Sequence, residues 1–168
     1  MAKPMEPTVS RKLLTILQAR SDLLPLEVLL RTGIRSHELR SLAIFETHVE
    51  VTAAKGSNDH IVPITDELYA RLTIHWALFL TQTQNRCHGS FKALLREMWG
   101  KLRQEHPFLK PYSLHSLRGA FALLMYQETK DPLLCQELLG HRSIQSTMVY
   151  VSQARIHDNR DKILKAVG

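Results

Sequence analysis

A chain of 168 residues with 44% hydrophobic and 23% charged content has the size and make-up of one globular domain with a core of its own, which sets aside the fibrous and disordered classes. Its formal net charge of +6 favours a polyanionic partner, with nucleic acid ahead of an acidic membrane surface. No apolar run approaches the ~20 residues of a membrane span, and no apolar stretch of the secretory kind follows Met1-Ala2-Lys3-Pro4. Cys87 and Cys135 lack metal-type spacing. The expectation is a cytoplasmic protein with reduced thiols.

In chain order, residues 8–20 read as a helix that Thr8 can cap, with Val9, Leu13, Leu14, Ile16 and Leu17 as its apolar stripe. Ser21 and Asp22 offer a second cap, and Leu23 to Leu30 continue as a more apolar helix with Pro25 in its first turn. Gly33 stops it, and a third helix is expected from about Ser36, carrying Glu38, Leu39 and Leu42. Ile44-Phe45, His48 to Thr52 and Ile61 to Ile64 are short β-branched runs, and the polar stretch 53–59 between the last two reads as a hairpin tip holding Lys55. The helical period returns from Asp66 to Leu80, and 81–89 reads as a polar loop. Residues 90–104 form an amphipathic helix, with Phe91, Leu94, Leu95, Met98 and Leu102 on one face and Lys92, Arg96 and Arg103 on another. Ser113 is placed to cap a helix through His115 and Arg118 to about Glu128, Pro132 opens one that ends at Gly140, and 143–152 and 153–166 read as two last helices. The expected fold class is α+β, mostly helical, with one small three-stranded antiparallel sheet.

Arg35 and Arg118 are the first candidates for chemistry, because the rigid guanidinium fork suits phosphate oxygens. His115 lies three residues before Arg118, on the same helical face and at a helix start, which makes the pair a plausible anion site. His141, after Gly140 at a segment boundary, can turn its ring toward the same centre. Taken singly, each of these would more often be a surface or structural residue, and Tyr150 alone would more often be core. Lys55 would ordinarily be a solvated charge, but a lysine on a hairpin tip can also swing onto a ligand and protonate a leaving alkoxide. Competing motifs fail: His37-Glu38 opens like a zinc-protease helix, but Ser41 stands where the second histidine belongs, and neither a Gly-x-Ser-x-Gly elbow nor a phosphate-binding glycine loop is present.

Five pieces in order, Thr32-Gly33-Ile34-Arg35-Ser36-His37-Glu38-Leu39, Lys55-Gly56, His115-Ser116-Leu117-Arg118, Leu139-Gly140-His141 and Tyr150, give the sequence its resemblance to the catalytic domain of the tyrosine recombinases, the phage integrase family. The resemblance runs from about Thr8 to Tyr150 and implies that family's catalytic-domain fold. It implies site-specific DNA recombination through a 3′-phosphotyrosyl intermediate, with Tyr150 as nucleophile and Arg35 and Arg118 on the non-bridging oxygens. His115 and His141 would complete the cradle, with His115 a candidate for taking the tyrosine proton. Lys55 would be the general acid, and Glu38 would support the fold. No metal or other cofactor is called for. The helix at 90–104 would lie toward the major groove, making Lys92, Arg96 and Arg103 the DNA-binding candidates. The implied partners are double-stranded DNA and further protomers in a tetrameric synapse, with no membrane, and the implied location is on nucleoid DNA. Gly119 departs from the family, which often has a second histidine after the arginine. Residues 1–168 are read as a single catalytic domain, with core 8–152 and a helical tail 153–168, and with the expectation that the family's usual N-terminal core-binding domain is absent. A type IB topoisomerase-like relaxation and a catalytically silent DNA-binding regulator are the alternatives.

Overall fold

The computed structural model describes residues 5–53, 57–84 and 88–167. Helix α1 (Pro7–Gln18) buries Leu13 and Leu17, one turn apart, and leaves its polar side to solvent. Its N-cap is Glu6, extended and followed by Pro7. Thr8 is therefore an exposed residue of the first turn and does not cap. A short 3-10 turn at Ser21–Leu23 leads into α2 (Leu24–Thr32), whose residues 24–30 are all buried. A helix buried all round must neutralise its own charge. Glu27 does so with Arg31 (3.0 Å) on the next turn and with Arg71 (2.9 Å). Gly33 ends α2 at φ +66°, with its N–H donating to the Leu29 carbonyl (3.1 Å).

The expected third helix is a single 3-10 turn at Glu38–Ser41, because the Glu38 carboxylate folds back to accept the Arg35 N–H and Leu42 has already entered a strand. Strands β1 (Leu42–Ile44), β2 (His48–Val51) and β3 (His60–Pro63) form the expected antiparallel sheet in that order. Alternation turns Val49 and Val51 of β2, and His60 and Val62 of β3, toward the interior. Helix α3 (Asp66–Gln84) runs four residues beyond the predicted end at Leu80, and α4 (His88–Glu105) starts two residues before the predicted 90. Of the predicted loop at 81–89, residues 81–84 and 88–89 are thus helical, and 85–87 lie outside the described residues.

Helix α5 (Ser116–Thr129) is the central element, packed against α1, α2, α6 (Pro132–Leu138) and α7 (Ile144–Asp158). Its first eight residues are buried on every side. Ser113 lies in the turn ahead of α5, its N–H donating to the Ser116 hydroxyl (3.1 Å), and His115 holds the N-cap position. Asp131 caps α6 by accepting from the Leu133 and Leu134 N–H groups.

The break predicted at 152–153 does not occur. Val151 and Ala154 are buried, Asp158 bonds Gln127 (3.0 Å) and Lys130 (2.6 Å), and only at Asn159 does α7 give way to α8 (Arg160–Val167). Along the tail, Ile156 is 64% exposed, Ile163 44% and Leu164 51%. Among the described residues no helix is long and apolar enough to cross a membrane.

Candidate active site

The C-terminal end of α2 and the start of α5 approach closely because Gly33 has no side chain: a Cβ there would lie 2.3 Å from the Phe121 ring. That contact brings the Gly33 carbonyl to Arg118, whose Nη1 donates to it at 2.7 Å while Nη2 donates to the Leu139 carbonyl at 2.6 Å. Arg118 is 3% exposed. Both acceptors are carbonyls, so its charge is held in place, and among the described residues no carboxylate pairs with it. Burial first, and the neighbouring Arg35 charge second, push its pKa down to about 10, and it stays protonated at neutral pH.

Arg35 stands two residues after Gly33 and is fixed by Glu38. The carboxylate accepts the Arg35 N–H (2.7 Å) and Nη1 (3.3 Å), and it also accepts the Ser57 hydroxyl (3.2 Å). Glu38 is 1% exposed, and its role is to orient Arg35. Ser57 pairs with His141 across an isolated β-bridge, and the Asn58 N–H donates to the Gly140 carbonyl (3.0 Å), so the base of the hairpin is tied to the α6–α7 turn. Lys55 lies outside the described residues.

His141 is 7% exposed, and its Nδ1 is 2.8 Å from the Thr147 hydroxyl. Burial, then the Arg118, Arg35 and His60 charges, push its pKa down to about 4, so the ring is neutral at pH 7. His115 opens onto solvent. Desolvation on its protein side, then Arg118 and Arg35, move its pKa below the ordinary histidine value as well. Tyr150, on α7, lies with its ring nearly parallel to His141 (centroids 6.3 Å apart, planes 11° apart) and within electrostatic reach of Arg118. The ring rests on Gly119, where a Cβ would come within 3.2 Å of Cε1. The position that departs from the family pattern is therefore part of the bed of the tyrosine.

Arg35, His115 and Arg118 line a cleft of ≈ 590 Å³ together with Lys92, Arg96 and Arg103 of α4. Lys92 and Arg96 are exposed, while Arg103 is half-buried with Nη2 donating to the Lys110 carbonyl. Two residues at the site escaped the sequence reading. Thr147, 0% exposed, holds His141; its position three residues before Tyr150 on one helix face was the available signal. His60 is 8% exposed, its Nδ1 meets the Asn58 carbonyl (2.9 Å), and its Nε2 is buried without a hydrogen-bond partner. A Cβ on Gly140 (φ +61°) would lie 2.3 Å from that ring. The inward phase of a strand beginning at His60 was its only sequence signal. Among the described residues no group of three His, Cys, Asp or Glu could hold a metal ion. Cys135 is buried and unpaired.

A buried guanidinium and a half-buried one at the head of a basic cleft, with a tyrosine and neutral imidazoles beside them, define an anion site suited to phosphate chemistry. The family model described as the phage integrase family matches residues 4–157, and the chain belongs to that family. It is 32% identical over 158 residues to the tyrosine recombinase XerD of Oceanobacillus iheyensis, covering 79% of this chain and 51% of that protein. With the tyrosine recombinase XerC of Shewanella sp. (strain ANA-3) the identity is 30% over 155 residues, covering 80% and 50%. The chain spans about half the length of these curated relatives. The fold is shared with the crystal structure of XerA recombinase (TM-score 0.71, 22% identity, 96% of this chain and 64% of that one). It is shared also with a lambda integrase dimer bound to a COC′ core site (TM-score 0.61, 17% identity, 88% and 47%).

Proposed function

We propose that this chain is the catalytic part of a site-specific recombinase that cuts and rejoins DNA through a tyrosyl link. The Tyr150 hydroxyl attacks the scissile phosphate, the P–O bond to the 5′ oxygen breaks, and a 3′-phosphotyrosyl bond forms. Arg35 and Arg118 hold the non-bridging oxygens as charge builds in the transition state. His115, neutral at pH 7, takes the phenolic proton, and Lys55 delivers a proton to the leaving 5′ oxygen. A Thr147 hydroxyl that donates to Nδ1 would leave the His141 proton on Nε2, as a further donor to the phosphate. The link preserves the energy of the broken bond, so rejoining by a 5′ hydroxyl is the same step reversed, and the scheme calls for no metal or nucleotide.

The observation that carries this reading is the setting of Arg118: a cation 97% removed from solvent, hydrogen-bonded to two main-chain carbonyls, next to a second arginine and a tyrosine. Burying a cation in this way is costly unless an anion arrives to complete the site. Further support comes from the basic face of α4 along the same cleft, where Lys92, Arg96 and Arg103 would meet backbone phosphates in the major groove. As a recombinase it would work on nucleoid DNA in the cytoplasm, with protomers assembling in pairs on each site and four in the synapse. The uncovered apolar residues of α8 suit such an assembly.

The test is incubation with a pool of nicked duplexes in which the short fragment bearing the freed 5′ hydroxyl diffuses away, so that the intermediate is trapped. A denaturant-stable protein–DNA adduct in the absence of metal is the expected product. Salt-dependent binding of the pool with no adduct under any condition would reduce the protein to a DNA-binding regulator.

A further inference from the structure

The described glycines include one that the fold does not explain. Gly33 and Gly140 adopt left-handed backbone conformations and lie against Phe121 and His60, and Gly119 makes room for Tyr150. Gly100 has neither reason. It lies inside α4 (His88–Glu105), outside the left-handed region, and a Cβ built on it meets nothing within 4 Å. Glycine is among the poorest residues for a helix interior, because it loses more backbone freedom on ordering than any other. An alanine there would fit the chain and favour the helix. The missing side chain therefore serves something outside the chain.

Its place on the helix says what. Lys92, Arg96, Gly100 and Arg103 follow at steps of four, four and three, which puts them on one face, and all four line the cleft that holds Arg35, His115 and Arg118. The adjoining flank of the helix is anchored: Phe91, Leu95, Trp99 and Leu102 are buried, Trp99 also reaches the cleft wall, and its indole N–H donates to the Tyr112 carbonyl (3.2 Å). The helix cannot roll to present another surface. The cleft thus faces a basic ridge with one notch, at Gly100, between Arg96 and Arg103. A ligand that fills the notch comes within van der Waals distance of main-chain atoms, and the cations on either side select a polyanion.

We propose that Gly100 is a DNA-contact residue, the floor of a notch where the duplex seats directly against the α4 backbone, and that its lack of a side chain sets how deeply the helix enters the groove. The inference rests on the reading of the cleft as a DNA site.

Gly100→Ala and Gly100→Leu test it, with Arg96→Ala as comparator, by melting temperature and by affinity for a mixed-sequence duplex over a series of salt concentrations. Alanine should raise Tm by roughly 2–4 °C, since it favours the helix and meets no neighbour. The same substitution should weaken DNA binding about fivefold, and leucine more than tenfold, by obstructing the seat. Neither removes a charge, so the slope of affinity against salt should match wild type, whereas Arg96→Ala should reduce it by about one. A raised Tm with unchanged affinity would overturn the proposal, because the duplex would not approach the notch. A lowered Tm would overturn it as well, by showing that the fold needs the glycine. If the wild-type protein itself shows no salt-dependent duplex binding, the reading of the cleft fails and the notch falls with it.

Discussion

Arg118 owes its position to two carbonyl oxygens that belong to different parts of the chain. The spacing His115-x-x-Arg118 made the arginine legible as part of an anion site, but nothing local could reveal that Gly33 and Leu139 supply its acceptors. For the same reason Glu38 was recognisable as a supporting residue while its three hydrogen bonds were not, and neither Thr147 nor His60 could be placed at the site, because their burial is set by distant elements. Arg118→Ala and Arg35→Ala should each slow adduct formation by about 10²–10³, the usual loss for one transition-state donor, with duplex affinity falling much less. Near wild-type cleavage by either variant would remove that arginine from the site.

The histidines make a prediction about stability as well. The folded-state pKa of His141, about 4, lies below its ordinary 6.5, and those of His60 and His115 are lowered too. Between those limits the unfolded chain binds protons that the folded chain does not. The stabilisation is therefore complete above pH ~6.5 and is lost as the pH falls toward 4. For His141 alone the loss by pH 5 is of the order of 1–2 kcal/mol, and His141→Gln should flatten the fall of Tm between pH 7 and pH 5. An equally steep fall in that variant would show that the linkage resides elsewhere.

Among the elements, the junction of α2 and α5 sets the geometry of the site. Gly33→Ala forces a side chain onto a left-handed backbone and into the Phe121 ring, and should cost about 2–4 kcal/mol, measurable as a lowered denaturant midpoint. A stability change under ~0.5 kcal/mol would show that the two helices can separate without penalty. Helices with a clear apolar stripe (α1 and α4) were readable from periodicity, α2 and α5 from their start and stop signals, and the sheet from its short β-branched runs. What failed were boundaries decided by tertiary contacts. Glu38–Ser41 tightens into a 3-10 turn around the Glu38 carboxylate, and α7 runs on to Asp158 because Gln127 and Lys130 hold its end. That extension separates the tail into a docked part and a free part. Deleting 160–168 should leave the monomer's Tm within about 2 °C, since Ile163 and Leu164 are exposed, but should reduce assembly on DNA. A large loss of Tm with assembly intact would mean that α8 serves its own domain.

For the whole molecule, a net charge of +6 gathers into function along one cleft, where the α4 ridge leads to the arginine pair and the tyrosine stands beside it. Composition pointed to a polyanion, and five short motifs in order pointed to the family; the cleft that joins them emerged only from the packing of α4 against the loop before α5. The account stands or falls on Tyr150, and the direct measurement is peptide mapping of the trapped adduct by mass spectrometry, beside the Tyr150→Phe variant. The DNA should be found on Tyr150 through a 3′ phosphate, and the Phe variant should bind duplex normally while forming no adduct. An adduct that persists in the variant, or one mapped to Tyr69, Tyr112 or Tyr126, would contradict the assignment.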